Sequence, residues 1–149
     1  QFISARFNVQ VDAVTMNDPS QLPELLQGVD VLLNSGPAGV QMVPKSAWTG
    51  VKTLKIAVDL NAVPPLGIEG IDVNDAGVKK NGVVVFGAFG VGNFKTQLHK
   101  ACVERLFTRN DLVLDAEGIA DIARELVATR EPAARKEPVA RKELVAKKK

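Results

Sequence analysis

Lys95 and His99 stand four residues apart in GVGNFKTQLHKACVERLF, a segment whose periodicity predicts a helix over residues 93–108. At about 100° per residue, Phe94, Leu98, Cys102 and Leu106 sweep a broad apolar face, with Gln97, Lys100 and Glu104 on the opposite side. Lys95 and His99 are expected inside the apolar face. A lysine there either snorkels to water or is partly desolvated, and in the first helical turn it also meets the positive end of the helix dipole. Desolvation and dipole both disfavour the ammonium, so Lys95 is placed for a task rather than for stability and is the candidate catalytic residue. His99 reads more readily as a hydrogen-bonded structural histidine, and Cys102 as core.

Three loops form the second candidate: NSGPAG (34–39), NAVPPLG (61–67) and GAFGVG (87–92). Glycine and alanine let backbone approach a flat ligand, and consecutive prolines such as Pro64 and Pro65 fix a loop without hydrogen bonds. Any one of these loops could be simple turn punctuation. Three of similar composition, each following an apolar strand, point instead to a shared site. GAFGVG is not the dinucleotide-binding fingerprint: its order is G-x-x-G-x-G rather than G-x-G-x-x-G, and it lies late in the chain. The amino end of the helix behind it could still attract a negative group.

The elements that must carry these residues follow from the pattern. FNVQVDAV (7–14) alternates apolar and polar residues and predicts a half-buried strand. Asp18 as cap, Pro19 at the first helical position, Leu22, Leu25 and Leu26 as stripe and Gly28 as stop predict a short helix. Apolar strands are expected at 29–33, 54–60 and 83–86, with a helical segment at 43–48 whose Trp48 anchors it in the core. A last packing helix begins at the cap Asp115 and carries Ile119, Ile122, Ala123 and Leu126. Strands separated by helices predict an α/β domain, with ligand-binding loops at the carboxyl ends of a parallel sheet.

The 149 residues suffice for one core, and 46% apolar with 24% charged residues is ordinary globular composition. No apolar run approaches the roughly 18 residues of a membrane span, and no signal-peptide pattern opens the chain, so a cytoplasmic protein is expected. One cysteine excludes an internal disulfide, and one histidine argues against a zinc site, so no metal is assigned. The tail from Thr129 onward continues, after that threonine, as three imperfect hexads, REPAAR, KEPVAR and KELVAK, closed by two lysines. This basic tail holds eight Lys/Arg against three Glu, leaving 11 against 14 in residues 1–128. It is expected to be disordered or helical, a solvated appendage rather than a nucleic-acid binder, because no aromatic residue interleaves it. The opening QFISARF, beginning with Gln1, reads like the last turn of something already under way, so a fragment is expected.

AVDLNAVPPLGIEGID (57–72) and FGAFGVGNFKTQLHKACVERLF (86–107) resemble the carboxy-terminal region of the NADP-dependent methylene-tetrahydromethanopterin or methylene-tetrahydrofolate dehydrogenases of methylotrophic bacteria. LNSGPAGVQMVPKSAW (33–48) is similar in register, and the resemblance covers about residues 1–128. It implies a partial Rossmann-type parallel sheet with flanking helices that lacks its first strands, together with the low-complexity tail. It implies hydride transfer from the carrier's methylene carbon to NADP, with tetrahydromethanopterin or tetrahydrofolate as partner and a homo-oligomeric full-length enzyme. By alignment Lys95 matches the family's lysine at the bottom of the cleft, while Gly36, Pro37, Asn61, Gly87 and Ala88 would cradle the nicotinamide.

The same resemblance puts the phosphate-binding glycine turn upstream of Gln1. It also leaves a gap, because a sheet ordered 3-2-1-4-5-6 without its first two strands has no bridge between the third and the fourth. The chain alone is therefore expected to be inactive. The rival reading is a non-catalytic half-domain that binds an acidic partner through its tail.

Overall fold

A computed structural model describes residues 2–129; the expectations for residues 130–149 lie outside the described residues. Contacts group the chain into two compact units, residues 1–94 and the part from Lys95 onward.

The first unit is built on a four-stranded sheet ordered β1-β2-β4-β3, from β1 (Val31–Asn34), β2 (Ile56–Asp59), β3 (Ala76–Lys80) and β4 (Val83–Phe86). β1, β2 and β4 are parallel neighbours, with Val31 opposite Ile56 and Ile56 opposite Val84, while β3 joins β4 antiparallel. This is the α/β, mostly parallel sheet expected from the sequence. Three of the strands lie where their apolar runs predicted.

Asp18 caps as expected: its Oδ1 accepts the Ser20 N–H at 2.9 Å and opens a 3₁₀ turn, Pro19–Gln21, that leads into α2 (Leu22–Leu25). α3 (Lys45–Trp48) follows Pro44, whose extended backbone suits the residue before a helix. Leu22 and Leu26 pack with Ala47, Trp48, Val51 and Leu54 against Ala57 and Val85 of the sheet. Trp48 is fully buried, and its Nε1–H donates to the Glu69 carbonyl at 3.0 Å, so it anchors α3 as expected.

Only one face of the sheet is sealed this way. Leu32 packs against the core from β1, but its neighbours Val31 and Leu33 alternate to the other face and are 56% and 60% exposed. Ile56 on β2 is exposed too, and Val84 and Phe86 on β4 are half-buried.

Three expectations at the sheet are corrected. The expected gap is absent among the described residues: β1, β2, β4 and β3 are hydrogen-bonded in unbroken order, because the first strand present pairs directly with the next. Residues 7–14 form no strand: Phe2–Phe7 is a helix, α1, Asn8 turns with φ +49°, and Val9, Val11 and Val14 are exposed. β1 is the edge of the sheet and its outer ladder stays open among the described residues, but this segment does not pair with it, and alternation without pairing does not make a strand. Conversely, β3 was not expected. It is one arm of a hairpin closed by Asn81 and Gly82, both at positive φ, a pairing that favours two-residue hairpin loops.

The second unit consists of α4 (Gly92–Leu106), which starts at the end of the first unit, and α5 (Ala116–Ala128). Asp115 caps α5 by accepting the Gly118 N–H at 2.9 Å, and Ile122 is buried. Arg105 on α4 pairs with Glu125 on α5 at 2.5 Å. No helix among the described residues is long and apolar enough to cross a membrane.

Candidate functional site

Because β1, β2 and β4 are parallel neighbours, their following loops emerge at the same end of the sheet, the end where open α/β sheets bind ligands. Gly36 and Pro37 follow β1, Asn61 follows β2, and Gly87 and Ala88 follow β4. None of the three loops carries a charged residue.

The first two loops are knotted by buried polar groups. Asp59, 1% exposed, accepts the Asn34 Nδ2–H at 2.8 Å and the Asn61 N–H at 3.0 Å on Oδ1, and the Ile68 N–H at 2.7 Å on Oδ2. Asn34 Oδ1 in turn accepts the Gly36 N–H at 3.3 Å. Asn61 Nδ2 donates at 3.4 Å to the carbonyls of Pro37 and Pro65, and its Oδ1 accepts the Val63 N–H at 3.0 Å. Gly67 lies over this knot: a Cβ there would stand 1.8 Å from Asn34 Nδ2. The 64–65 peptide is cis. Asn61, Gly36 and Pro37 are thus brought together by two residues that were not among the expected site residues, Asn34 and Asp59. Their signal is a polar residue closing an apolar strand, in VLLN and IAVD, at a position in core register.

The third loop rests on different support. Gly87 N–H donates to the Asp75 carbonyl at 2.8 Å, and the Phe89 and Gly90 N–H groups donate to the Val73 carbonyl at 2.7 and 3.2 Å. A Cβ on Gly87 would fall 1.9 Å from the Asp72 carbonyl, and one on Gly90 1.7 Å from that of Asp75. These two glycines permit the chain to pack on itself, where the sequence reading had assigned the close approach to a ligand. The segment 72–75 is held by Asp75, whose Oδ2 accepts the Asp72 N–H at 2.7 Å and the Lys80 ammonium at 2.5 Å. Lys80 also donates to the Gly70 carbonyl at 3.1 Å. The Asn74 N–H beside Asp72 holds that carboxyl below its ordinary range.

Lys95 lies in the first turn of α4 and is exposed, as is His99. This corrects the expected desolvation. The half-covered stripe of α4 is Phe94, Leu98, Ala101 and Cys102, and helix geometry sets Lys95 and His99 about 100° and 140° around from Phe94, beyond its margin. Among the described residues, no cluster of three or more His, Cys, Asp or Glu could hold a metal ion.

An open, mostly parallel sheet with glycine- and proline-rich loops gathered at its carboxyl end defines a partial Rossmann-like α/β protein. Two curated proteins of Methylorubrum extorquens are similar to the chain. "Bifunctional protein MdtA" is 38% identical over 124 residues, 83% of this chain and 43% of that protein. "NAD(P)-dependent methylenetetrahydromethanopterin dehydrogenase" is 35% identical over 124 residues, 81% of this chain and 42% of that protein. The chain is homologous to both, as its motifs implied, and spans less than half the length of either. No family model matches it.

Proposed function

We propose that the chain contributes the nicotinamide end of the cofactor site in a methylenetetrahydromethanopterin dehydrogenase-type oxidoreductase. The reaction is hydride transfer from methylene-tetrahydromethanopterin, or methylene-tetrahydrofolate, to NADP, giving the methenyl form in one-carbon metabolism. The observation that carries this reading is the group of three uncharged loops at one end of three adjacent parallel strands, in a chain homologous to a protein named as an NAD(P)-dependent dehydrogenase.

The residues fit the ring end of a nicotinamide cofactor rather than its phosphates. The loops offer backbone and small apolar groups, and they lack both charge and the G-x-G-x-x-G turn. When bound, the cofactor supplies a ring that accepts hydride. The protein's task is then geometric: it holds donor carbon and ring at reacting distance and excludes water. Gly36 and Pro37, Asn61, and Gly87 and Ala88 line the ring. Lys95, the residue matched by the family resemblance, positions the carrier or adjusts charge near the carbon that becomes cationic.

The test compares the purified chain with the same chain joined to the upstream half of the Methylorubrum extorquens dehydrogenase, measuring NADP binding and methylene-tetrahydromethanopterin oxidation. Binding and turnover are expected only in the joined protein. There, Lys95→Ala is expected to lower kcat about 100-fold, the scale of a lost transition-state contact, with NADP binding little changed. Activity in neither form sinks the enzyme reading and turns attention to the basic tail.

A further inference from the structure

We propose that Asp59 is the positioning residue of this site: its one carboxylate makes the loops after β1 and β2 a single unit, and so sets where the nicotinamide end rests. The inference rests on the dehydrogenase reading given above.

The grounds are in the distribution of its hydrogen bonds. Asp59 is 1% exposed and accepts three N–H groups from three separate parts of the chain: the Asn34 side chain, the Asn61 backbone and the Ile68 backbone, at 2.8, 3.0 and 2.7 Å. Each bond governs a different loop coordinate. The bond to Asn34 orients that amide so that its Oδ1 receives Gly36 N–H. The bond to Asn61 N–H fixes the start of the second loop, from which the Asn61 amide reaches back to the Pro37 carbonyl of the first and across to that of Pro65 in its own loop. The bond to Ile68 N–H fixes the second loop's far end. A carboxylate supplies acceptors only, and all three partners are donors, so an amide of the same shape cannot satisfy them. A valine or leucine would have sealed this position in the core. A buried acid that keeps three donors facing inward instead makes sense where loop shape, and not burial alone, is what the position supplies.

The test has two arms. In hydrogen exchange on the chain itself, Asp59→Asn, whose single oxygen can keep the Asn34 and Asn61 bonds while its NH2 faces the Ile68 N–H, is expected to accelerate exchange at Ile68 at least tenfold, while Val83–Phe86 of β4 stays protected. The exchanged pair, Asn34→Asp with Asp59→Asn, is expected to move the loss from Ile68 to Asn61, because the amide nitrogen then donates to the new carboxylate at position 34, its oxygen turns to the Ile68 N–H, and no acceptor faces the Asn61 N–H. In the joined protein, Asp59→Asn is expected to lower kcat about 100-fold, with KM for NADP changed less than about threefold, since a displacement on the order of 1 Å at the reacting atoms costs that much. The primary isotope effect, with deuterium on the transferred one-carbon unit, is expected to rise. A loss of folded enzyme would lower the rate and leave that ratio where it was.

Unchanged exchange in the loops, or equal acceleration in β4, overturns the proposal. So does local loosening with kcat and the isotope effect unaltered. A joined wild-type protein that turns over nothing overturns the dehydrogenase reading instead, while the exchange arm, which needs no ligand, still decides whether Asp59 couples the loops.

Discussion

Gly67 shows how little room the site leaves. A methyl group there would stand 1.8 Å from Asn34 Nδ2 and 2.8 Å from Asp59 Oδ1, so Gly67→Ala must break the buried knot or move the loop. The expected cost is about 3 kcal/mol, the upper end of overpacking penalties, read as a lower urea midpoint at unchanged slope. Ionisation acts at the same scale. Asp18 and Asp72 have folded pKa values below the ordinary aspartate value of 3.8, chiefly because the Ser20 and Asn74 N–H groups donate to them. Depressed carboxylates contribute stability that is fully present above 3.8 and is lost as pH falls through their folded values. The urea midpoint is therefore expected to fall below about pH 4, and less so in Asp18→Asn, where that contribution is already gone. Of the site residues, Asn61 and the loop glycines were legible because their types mark turns. Asp59 was not, because its meaning depends on Asn34, 25 residues away, and a single sequence does not show which distant donors a carboxylate will meet.

Among the elements, the β3–β4 hairpin is the one most dependent on its turn. Gly82 has φ +85°, where a side chain is strained, so Gly82→Ala is expected to cost about 1 kcal/mol. The effect should appear as faster amide exchange in β3 with β2 unaffected. The same hairpin marks a limit of sequence reading. β4 was plain from VVVF, but AGVKK has too few apolar residues to announce a strand, and only the Asn-Gly pair between them signals the turn. The opposite error at residues 7–14 has a related cause. Alternation records a segment's suitability for a ladder, and whether the segment pairs with the open edge of β1 depends on where the chain before it runs. On α4, periodicity located Phe94 and Leu98 well, but it could not say how wide a stripe would be covered, and so Lys95 and His99 were placed too deep.

For the molecule as a whole, the unsealed side of the sheet governs behaviour in solution. Val31, Leu33 and Ile56 form a ribbon of exposed apolar side chains that continues past half-buried Val58, Val84 and Phe86. Surfaces of this kind bind apolar dyes and promote association. The chain is expected to enhance anilinonaphthalene sulfonate fluorescence and to sediment as larger species at higher concentration. Leu33→Lys should reduce both without unfolding the protein, since Leu33 lies outside the sealed core. Unchanged dye binding in that variant would mean that the exposed surface is elsewhere, for example around Phe107 and Val113.

The ribbon also alters what a melting temperature measures for this chain. Whatever covers those side chains binds the folded form and not the unfolded one, so it draws the folding equilibrium toward itself by mass action. Stability then belongs partly to the surroundings: dilute and alone, the chain would keep only what its sealed face provides, and a companion surface would raise its transition in proportion to the logarithm of its own concentration.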